Sequence, residues 1–261
     1  MKKRMFSLLL ALLMVLSLVP FGASAVEIVE SGTCGEHLPW ILDSNGLLTV
    51  GGTGPMTNYP ESRSPFYAKM SIQSVVIGPG STSIGNYAFS NCTALKSVMI
   101  SDDVTSIGNY AFSGCSALKT VSMPDGLKSI GDHAFYNCKS LTNAVIPDSV
   151  TSIDNDAFSL CSGLTSVTIP DGMTSIAYNT FYGCRGLTSV TIPDSVTSIE
   201  SLAFYNCGSL KDVYYGGTQA QWDKIRIDNG NNPLLGAALH LNSEGPTPTP
   251  TATPTPTATP T

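Results

Sequence analysis

Residues 166–188 read SVTIPDGMTSIAYNTFYGCRGLT, and residues 189–211 read SVTIPDSVTSIESLAFYNCGSLK. Four further copies of this unit precede them, at 74–96, 97–119, 120–142 and 143–165. Across the six, cysteines fall at 92, 115, 138, 161, 184 and 207, phenylalanines at 89, 112, 135, 158, 181 and 204, and leucines at 95, 118, 141, 164, 187 and 210. Isoleucines keep the same 23-residue step from 84 to 199. A fixed period of this length predicts a solenoid, in which each unit buries its apolar face only against its neighbours. Most residues are then one rung of a ladder, and an argument from any single residue loses force.

Position by position, the unit has a physical reading. Val167-Thr168-Ile169 and Val190-Thr191-Ile192 alternate, which places the β-branched residues inward on a short half-buried strand. Pro170-Asp171 and Pro193-Asp194 turn the chain, proline by fixing φ and aspartate by bonding local backbone. A second short strand follows, such as Val196 to Ile199. Ile84, Ala88, Phe89, Cys92 and Leu95 then recur at steps of three and four, which predicts a one- to two-turn helical segment. Stacked in register the strands sit about 4.8 Å apart, and the phenylalanines form one continuous aromatic spine.

Such a stack needs covered ends. Upstream, Leu38–Leu42 and Leu47–Val50 flank Asp43-Ser44-Asn45-Gly46, a hairpin signal. Downstream, Thr218 with Gln221 predicts a capping box opening a helix that carries Trp222 and Ile225. Trp40 and Trp222, the two tryptophans, fall in these flanks and are expected to plug the core. The chain therefore divides into 26–73 as a leading cap, 74–211 as six repeats and 212–244 as a trailing cap.

Both termini lie outside the fold. Lys2, Lys3 and Arg4, then an apolar run to Leu18 and Ala23-Ser24-Ala25, make residues 1–25 a secretory signal peptide. It is too short to serve as a stable anchor, and no transmembrane segment is expected after its removal. Removal of its three cations takes the formal net charge from −6 to −9. An acidic mature chain argues against nucleic acid and against electrostatic adsorption to anionic membranes. Residues 245–261 form a Pro/Thr-rich linker or stalk, whose last 16 residues extend about 50 Å as polyproline II. The sequence stops inside this tract, which is read as continuing into a further module, with a released protein as the alternative.

The unit L-x-x-V-x-I-P-x-x-V-T-x-I-x-x-x-A-F-x-x-C, seen from Leu187 to Cys207, resembles the BspA-like (treponemal-type) leucine-rich repeat. The resemblance covers all six repeats, and the flanks look like caps common in such proteins of anaerobic gut Firmicutes. It implies a leucine-rich-repeat solenoid with parallel short strands, short helical turns and a cap at each end. It also implies a secreted or surface-attached protein, with some members implicated in binding host matrix proteins or other bacteria. At the usual asparagine position this chain carries Gly80, Asp103, Gly126, Ser149, Gly172 and Ser195. No asparagine ladder is expected there, and turn chemistry must satisfy that backbone.

Chemical alternatives to packing are weak. Parallel Cβ vectors in a ladder keep neighbouring sulfurs from disulfide geometry, so the six repeat cysteines read as buried free thiols. Cys34 stands outside the ladder and is open to pairing between chains. His37, His133 and His240 are scattered, and His133 occupies the column of Tyr87 and Tyr110. No catalytic constellation, metal-ligand spacing or cofactor motif is present, so neither an enzyme nor a cofactor is expected. Asp102, Asp125, Asp148, Asp171 and Asp194 share one column, read as turn caps with Ca²⁺ as the alternative.

What remains for function is a surface. The exposed strand face is the first candidate: Val76, Met99, Val145, Thr168, Thr191 and Tyr214 along its centre, with Asn143 beside it. Tyr136, Tyr182 and Tyr205, in the column after the phenylalanine, form a second patch, with covering the spine as its plainer role. The expectation is an exported, monomeric, non-enzymatic protein that binds an extracellular protein or glycan in adhesion. A non-catalytic arm of a larger secreted enzyme and a structural surface spacer are the alternatives.

Overall fold

The computed structural model describes residues 26–243 and Gly245, so the signal peptide and the Pro/Thr tract lie outside the described residues. The array is a stack of short parallel strands in two rows. Front strands run Ser74–Ile77, Ser97–Ile100, Thr120–Ser122, Asn143–Ala144, Ser166–Thr168, Ser189–Ile192 and Asp212–Tyr215. Their pairing is in register, Val75 beside Val98 beside Val121, and Val167 beside Val190 beside Val213. Back strands run from Ser81–Ile84, of four residues, through two-residue strands to Ser198–Ile199, and the back row closes with Arg226–Ile227. The turn between front and back is closed by its own backbone: the Met173 and Val196 amides donate to the Pro170 and Pro193 carbonyls, both at about three residues' separation.

The third side of each repeat corrects one expectation. Residues 85–92 form a stacked series of turns rather than a helix. Amides alternate in their partners. Tyr87, Phe89 and Asn91 donate to carbonyls of the next repeat, those of Asn109, Ala111 and Ser113, while Ala88, Ser90 and Cys92 donate three residues back. Half of the donors a helix requires are thus taken by the neighbouring rung. The same alternation needs left-handed backbone at two columns. Tyr87, Tyr110, His133, Asp156, Asn179 and Leu202 have φ between 54 and 61°, and Asn91, Gly114, Asn137, Leu160, Gly183 and Asn206 occupy the second column. Three-and-four spacing of apolar residues therefore reflects three sides of a triangular coil, not a helical face.

Phe89 through Phe204 are fully buried and stack with ring centroids 5.3, 5.3, 5.2, 5.8 and 5.4 Å apart. Phe66 adds a ring before them, 5.1 Å from Phe89. Phe66 and Ile72 stand 23 residues before Phe89 and Leu95, so the leading segment contains a degenerate turn of the same coil. Ahead of it lies the expected hairpin, Pro39–Asp43 against Leu47–Val50, with Asp43 Oδ1 accepting from the Asn45 and Leu47 amides. An outer strand, Ile28–Thr33, covers Pro39–Asp43. A Cβ on Gly32 would lie 2.9 Å from the Trp40 ring, so only glycine lets the strand cross it. Trp40 meets Phe66 edge-on at 5.1 Å, and Trp222 meets Tyr215 edge-on at 5.2 Å. Both tryptophans plug the ends as expected. The helix Gln219–Trp222 begins at Thr218, whose backbone N–H and hydroxyl both donate to Gln221 Oε1.

Candidate functional site

The cysteine ladder resolves into structure. Each repeat cysteine is buried, and its Sγ donates to the phenylalanine carbonyl of the preceding turn: Cys115 to Phe89 at 3.1 Å, Cys138 to Phe112 at 3.2 Å, Cys161 to Phe135 at 3.1 Å. The column is therefore more than a small hydrophobe, because each thiol adds a second donor to a carbonyl that already accepts from the amide three residues on. Burial pushes the thiols of Cys92, Cys161 and Cys207 up to about 12, and those of Cys115, Cys138 and Cys184 well above their ordinary value. Such groups stay neutral and are poor nucleophiles. Cys34 is 1% exposed with its Sγ directed at the Leu38 carbonyl, so its burial leaves no route to a bridge with a second chain.

An amide ladder does exist, at a position other than the family's. The backbone N–H of Asn86 donates to Asn58 Oδ1, that of Asn109 to Asn86, and that of Asp132 to Asn109. A Cβ on Gly108 would lie 2.5 Å from Asn86 Oδ1, so the glycine before each amide lets the rungs close. At the family's usual asparagine position, the hydroxyl of Ser195 donates to the Met173 carbonyl. The aspartate column stands exposed along one rim of the front face, and no group of three potential metal ligands comes together among the described residues.

The strand face is partly as expected. Val76 and Met99 are half-buried neighbours, and Val145 is 45% exposed. Asn143 lies half-buried at the edge of the second half of the sheet. Thr168, Thr191 and Tyr214 form one register line that continues to His240. Tyr214 is not free. One face stacks on the His240 ring at 4.7 Å, and His240 Nε2 pairs with Asp212 Oδ1 at 2.8 Å. Gly245 lies over the same residue, so close that a Cβ there would fall 2.9 Å from Tyr214 Cγ and 2.5 Å from Thr191 Oγ1. The far end of the strand face is thus covered by the chain itself.

On the turn side the structure collects aromatics that sequence columns kept apart. Tyr87 stacks on Tyr110 at 4.7 Å and 2°, and Tyr110 on His133 at 4.5 Å. Tyr136 joins this strip, tilted by 44° against His133. Tyr182 stacks on Tyr205 at 5.5 Å, and Tyr205 and Tyr178 are 45% and 41% exposed. The patch of Tyr136, Tyr182 and Tyr205 is therefore two strips, separated by buried Ser159. Stacked rings spend their faces on each other and offer edges and hydroxyls; open faces remain only where a strip ends or tilts. His133 sits between two carboxylates, with Asp132 Oδ2 2.9 Å from Nδ1 and Asp156 Oδ2 3.8 Å from Nε2. Burial, and then nearby Glu61 and Asp132, raise the Tyr87 hydroxyl. The sequence shows Tyr87 and Tyr110 as one column; their left-handed backbone and parallel rings emerge only in the structure.

Comparison with known proteins agrees with this architecture. The chain matches the pattern described as "BspA type Leucine rich repeat region" in six copies, over residues 62–162 and 128–223. No curated protein matches it. Among solved structures it is similar to the Treponema pallidum leucine-rich repeat protein, at 24% identity and TM-score 0.55, covering 72% of this chain and 90% of that one. It is also similar to the pneumococcal vaccine antigen PcpA, at 17% identity and TM-score 0.56, covering 79% of this chain and 48% of that one. Likeness at this identity speaks to the fold. Among the described residues, no helix is long and apolar enough to cross a membrane.

Proposed function

Because the chain belongs to the BspA-type leucine-rich repeat family, we propose that it is an exported, non-enzymatic binding protein that engages an extracellular protein or glycan at the bacterial surface. One observation carries the reading. Once the Phe, Cys, Ile and Leu ladders are assigned to packing, the chemistry left outside is a set of tyrosines on the turn side. Interface energy concentrates in aromatic and arginine side chains, and rigid two-torsion tyrosines lose little entropy on contact. The front face offers Val76, Met99 and Val145 as secondary contacts, while Thr191 and Tyr214 are screened by Gly245 and His240. Glu61, Asp132 and Asp156 lend the first strip negative potential, which favours partners with basic groups near their contact points.

A glycan array and a panel of host matrix proteins, probed with the secreted chain, test the proposal. With a hit in hand, Tyr205→Ala combined with Tyr178→Ala is expected to weaken binding at least tenfold, and Met99→Ser with Val145→Ser less than twofold. Silence on both panels counts against a binding function. Loss confined to the strand-face pair moves the site to that face.

A further inference from the structure

Several ladders of this solenoid change character around repeat four, while the cysteine bonds run through it unbroken. Among the described residues the front row is two sheets, one ending at Thr120–Ser122 and the next starting at Asn143–Ala144. The back row is also two sheets, divided between Ser152–Ile153 and Ser175–Ile176. The Phe158–Phe181 spacing, 5.8 Å, is the widest in the spine, against 5.1–5.4 Å elsewhere. At the same level Ile153, Ile169, Met173, Ile176, Thr180 and Phe181 surround a small packing defect with no room for a water molecule. The Tyr87–Tyr110–His133 stack gives way to Asp156 there, and aromatic stacking resumes at Tyr182.

Two single-residue departures account for the two breaks. Ala144 stands in a column otherwise filled by valine, at 75, 98, 121, 167, 190 and 213. It removes two methyl groups from the front contact and lowers strand propensity, so the 143–144 strand is short, and its ladder runs on to Ser166 and Val167. Thr180 stands in the column of Ala88, Ala111, Ala134, Ala157 and Ala203, and is 1% exposed. Its extra bulk sits between rungs, and its hydroxyl is held by the Ala177 carbonyl at 2.8 Å. The spine is parted at its own level, between Phe158 and Phe181.

We infer that repeat four is a hinge, dividing the array into two units that flex and open against each other before either unfolds. In a solenoid, stability is a sum of repeat terms and nearest-neighbour interfaces, so the array opens where those interfaces are poorest. The first aromatic strip, Tyr87 to Tyr136, belongs to one unit, and Tyr182–Tyr205 to the other. A partner that touches both strips reads, and on binding fixes, the angle between the units. The inference itself rests on the stack alone and holds whatever the partner is.

The buried cysteines report the opening. In the full chain at urea concentrations below the main transition, a thiol-alkylating pulse read by mass spectrometry is expected to label Cys184 at least tenfold faster than Cys115. Hydrogen exchange is expected to show Ser175–Ala177 amides at least tenfold less protected than those of Ser106–Gly108. Ala144→Val with Thr180→Ala, which restores both columns, is expected to bring Cys184 to the Cys115 rate. Equal labelling and equal protection in the unsubstituted chain overturn the hinge without recourse to any variant. Persistence of the Cys184 excess in the restored chain overturns the assignment of its cause.

Discussion

The thiol of Cys115 donates to the carbonyl oxygen of Phe89, 3.1 Å away and one turn earlier in the coil. The same bond recurs from Cys92 to Phe66 through Cys207 to Phe181, so one residue type both fills a small apolar space and adds a donor to a buried acceptor at every rung. Replacing the thiol by a methyl group therefore removes two things at once. Cys138→Ala is expected to cost about 1–2 kcal/mol, for the lost thiol bond and the vacated volume, since the Phe112 carbonyl keeps its bond from the Cys115 amide. Urea denaturation checks it, and a loss under about 0.5 kcal/mol would reduce the column to plain packing.

Alkaline titration addresses the same ladder. Burial raises Cys34, Cys92, Cys161 and Cys207 from 9.0 to about 12 in the folded chain. The unfolded chain thus releases thiol protons first, and stability contributed by the neutral thiols is complete below pH 9.0 and declines from there toward about 12. The urea midpoint is expected to fall continuously over that window under reducing conditions. A flat midpoint across it would contradict the burial of the ladder.

Leu160 occupies a left-handed position, φ 60°, whose equivalents are Asn91, Gly114, Asn137, Gly183 and Asn206. Asparagine tolerates this backbone far better than a branched apolar residue. Leu160→Asn is expected to stabilise the protein by roughly 0.5–1 kcal/mol, less whatever Leu160 gains by lying over Gly183. An unchanged or lowered urea midpoint would show that this packing outweighs the strain.

Gly108 is required for a different reason, since a Cβ would lie 2.5 Å from Asn86 Oδ1 and 2.7 Å from the Asn86 amide nitrogen. The obstacle is backbone held in a ladder, which cannot swing aside. Gly108→Ala is expected to cost about 1–3 kcal/mol, as overpacking does, and calorimetry would show the lowered Tm. An unaltered Tm would mean that the first rungs are looser than their hydrogen bonds indicate.

Phe66 tests where the array begins. It is fully buried and stacked on Phe89 at an interplanar angle of 9°, as a spine residue is. Phe66→Ala is expected to cost about 3–5 kcal/mol, as for any spine ring. A cost near zero would make residues 51–73 a dispensable flap over the core.

A solenoid repeats its environment, so its period and columns carry most of the packing in the sequence. Phe135 is buried for the reason Phe112 is, so six copies of one pattern are six concordant statements about packing. The hairpin at Asp43–Gly46 and both tryptophan plugs were legible from local chemistry as well. The supposed helical segment misled because Ala88, Phe89 and Cys92 are spaced three and four apart in a coil of three short sides. Periodicity reports which residues face inward, not which carbonyl each amide selects. Phe66 is hard to see in the sequence because Pro65 stands in the column of Ala88 and Lys69 in the column of Cys92.

By itself the sequence determined the coil, its in-register ladders, the inward columns and the two plugged ends, because each follows from a period and from side-chain size. Tertiary structure alone decided that residues 85–92 turn without forming a helix, since the neighbouring rung competes for their amides. It decided too that the tyrosines form two separate strips and that Tyr214 is covered, because ring orientation depends on left-handed backbone and on the returning chain at Gly245. The division at repeat four belongs to the same class. Ala144 and Thr180 are visible as exceptions in a column, but only the stacked geometry shows that the front row divides before repeat four and the back row after it.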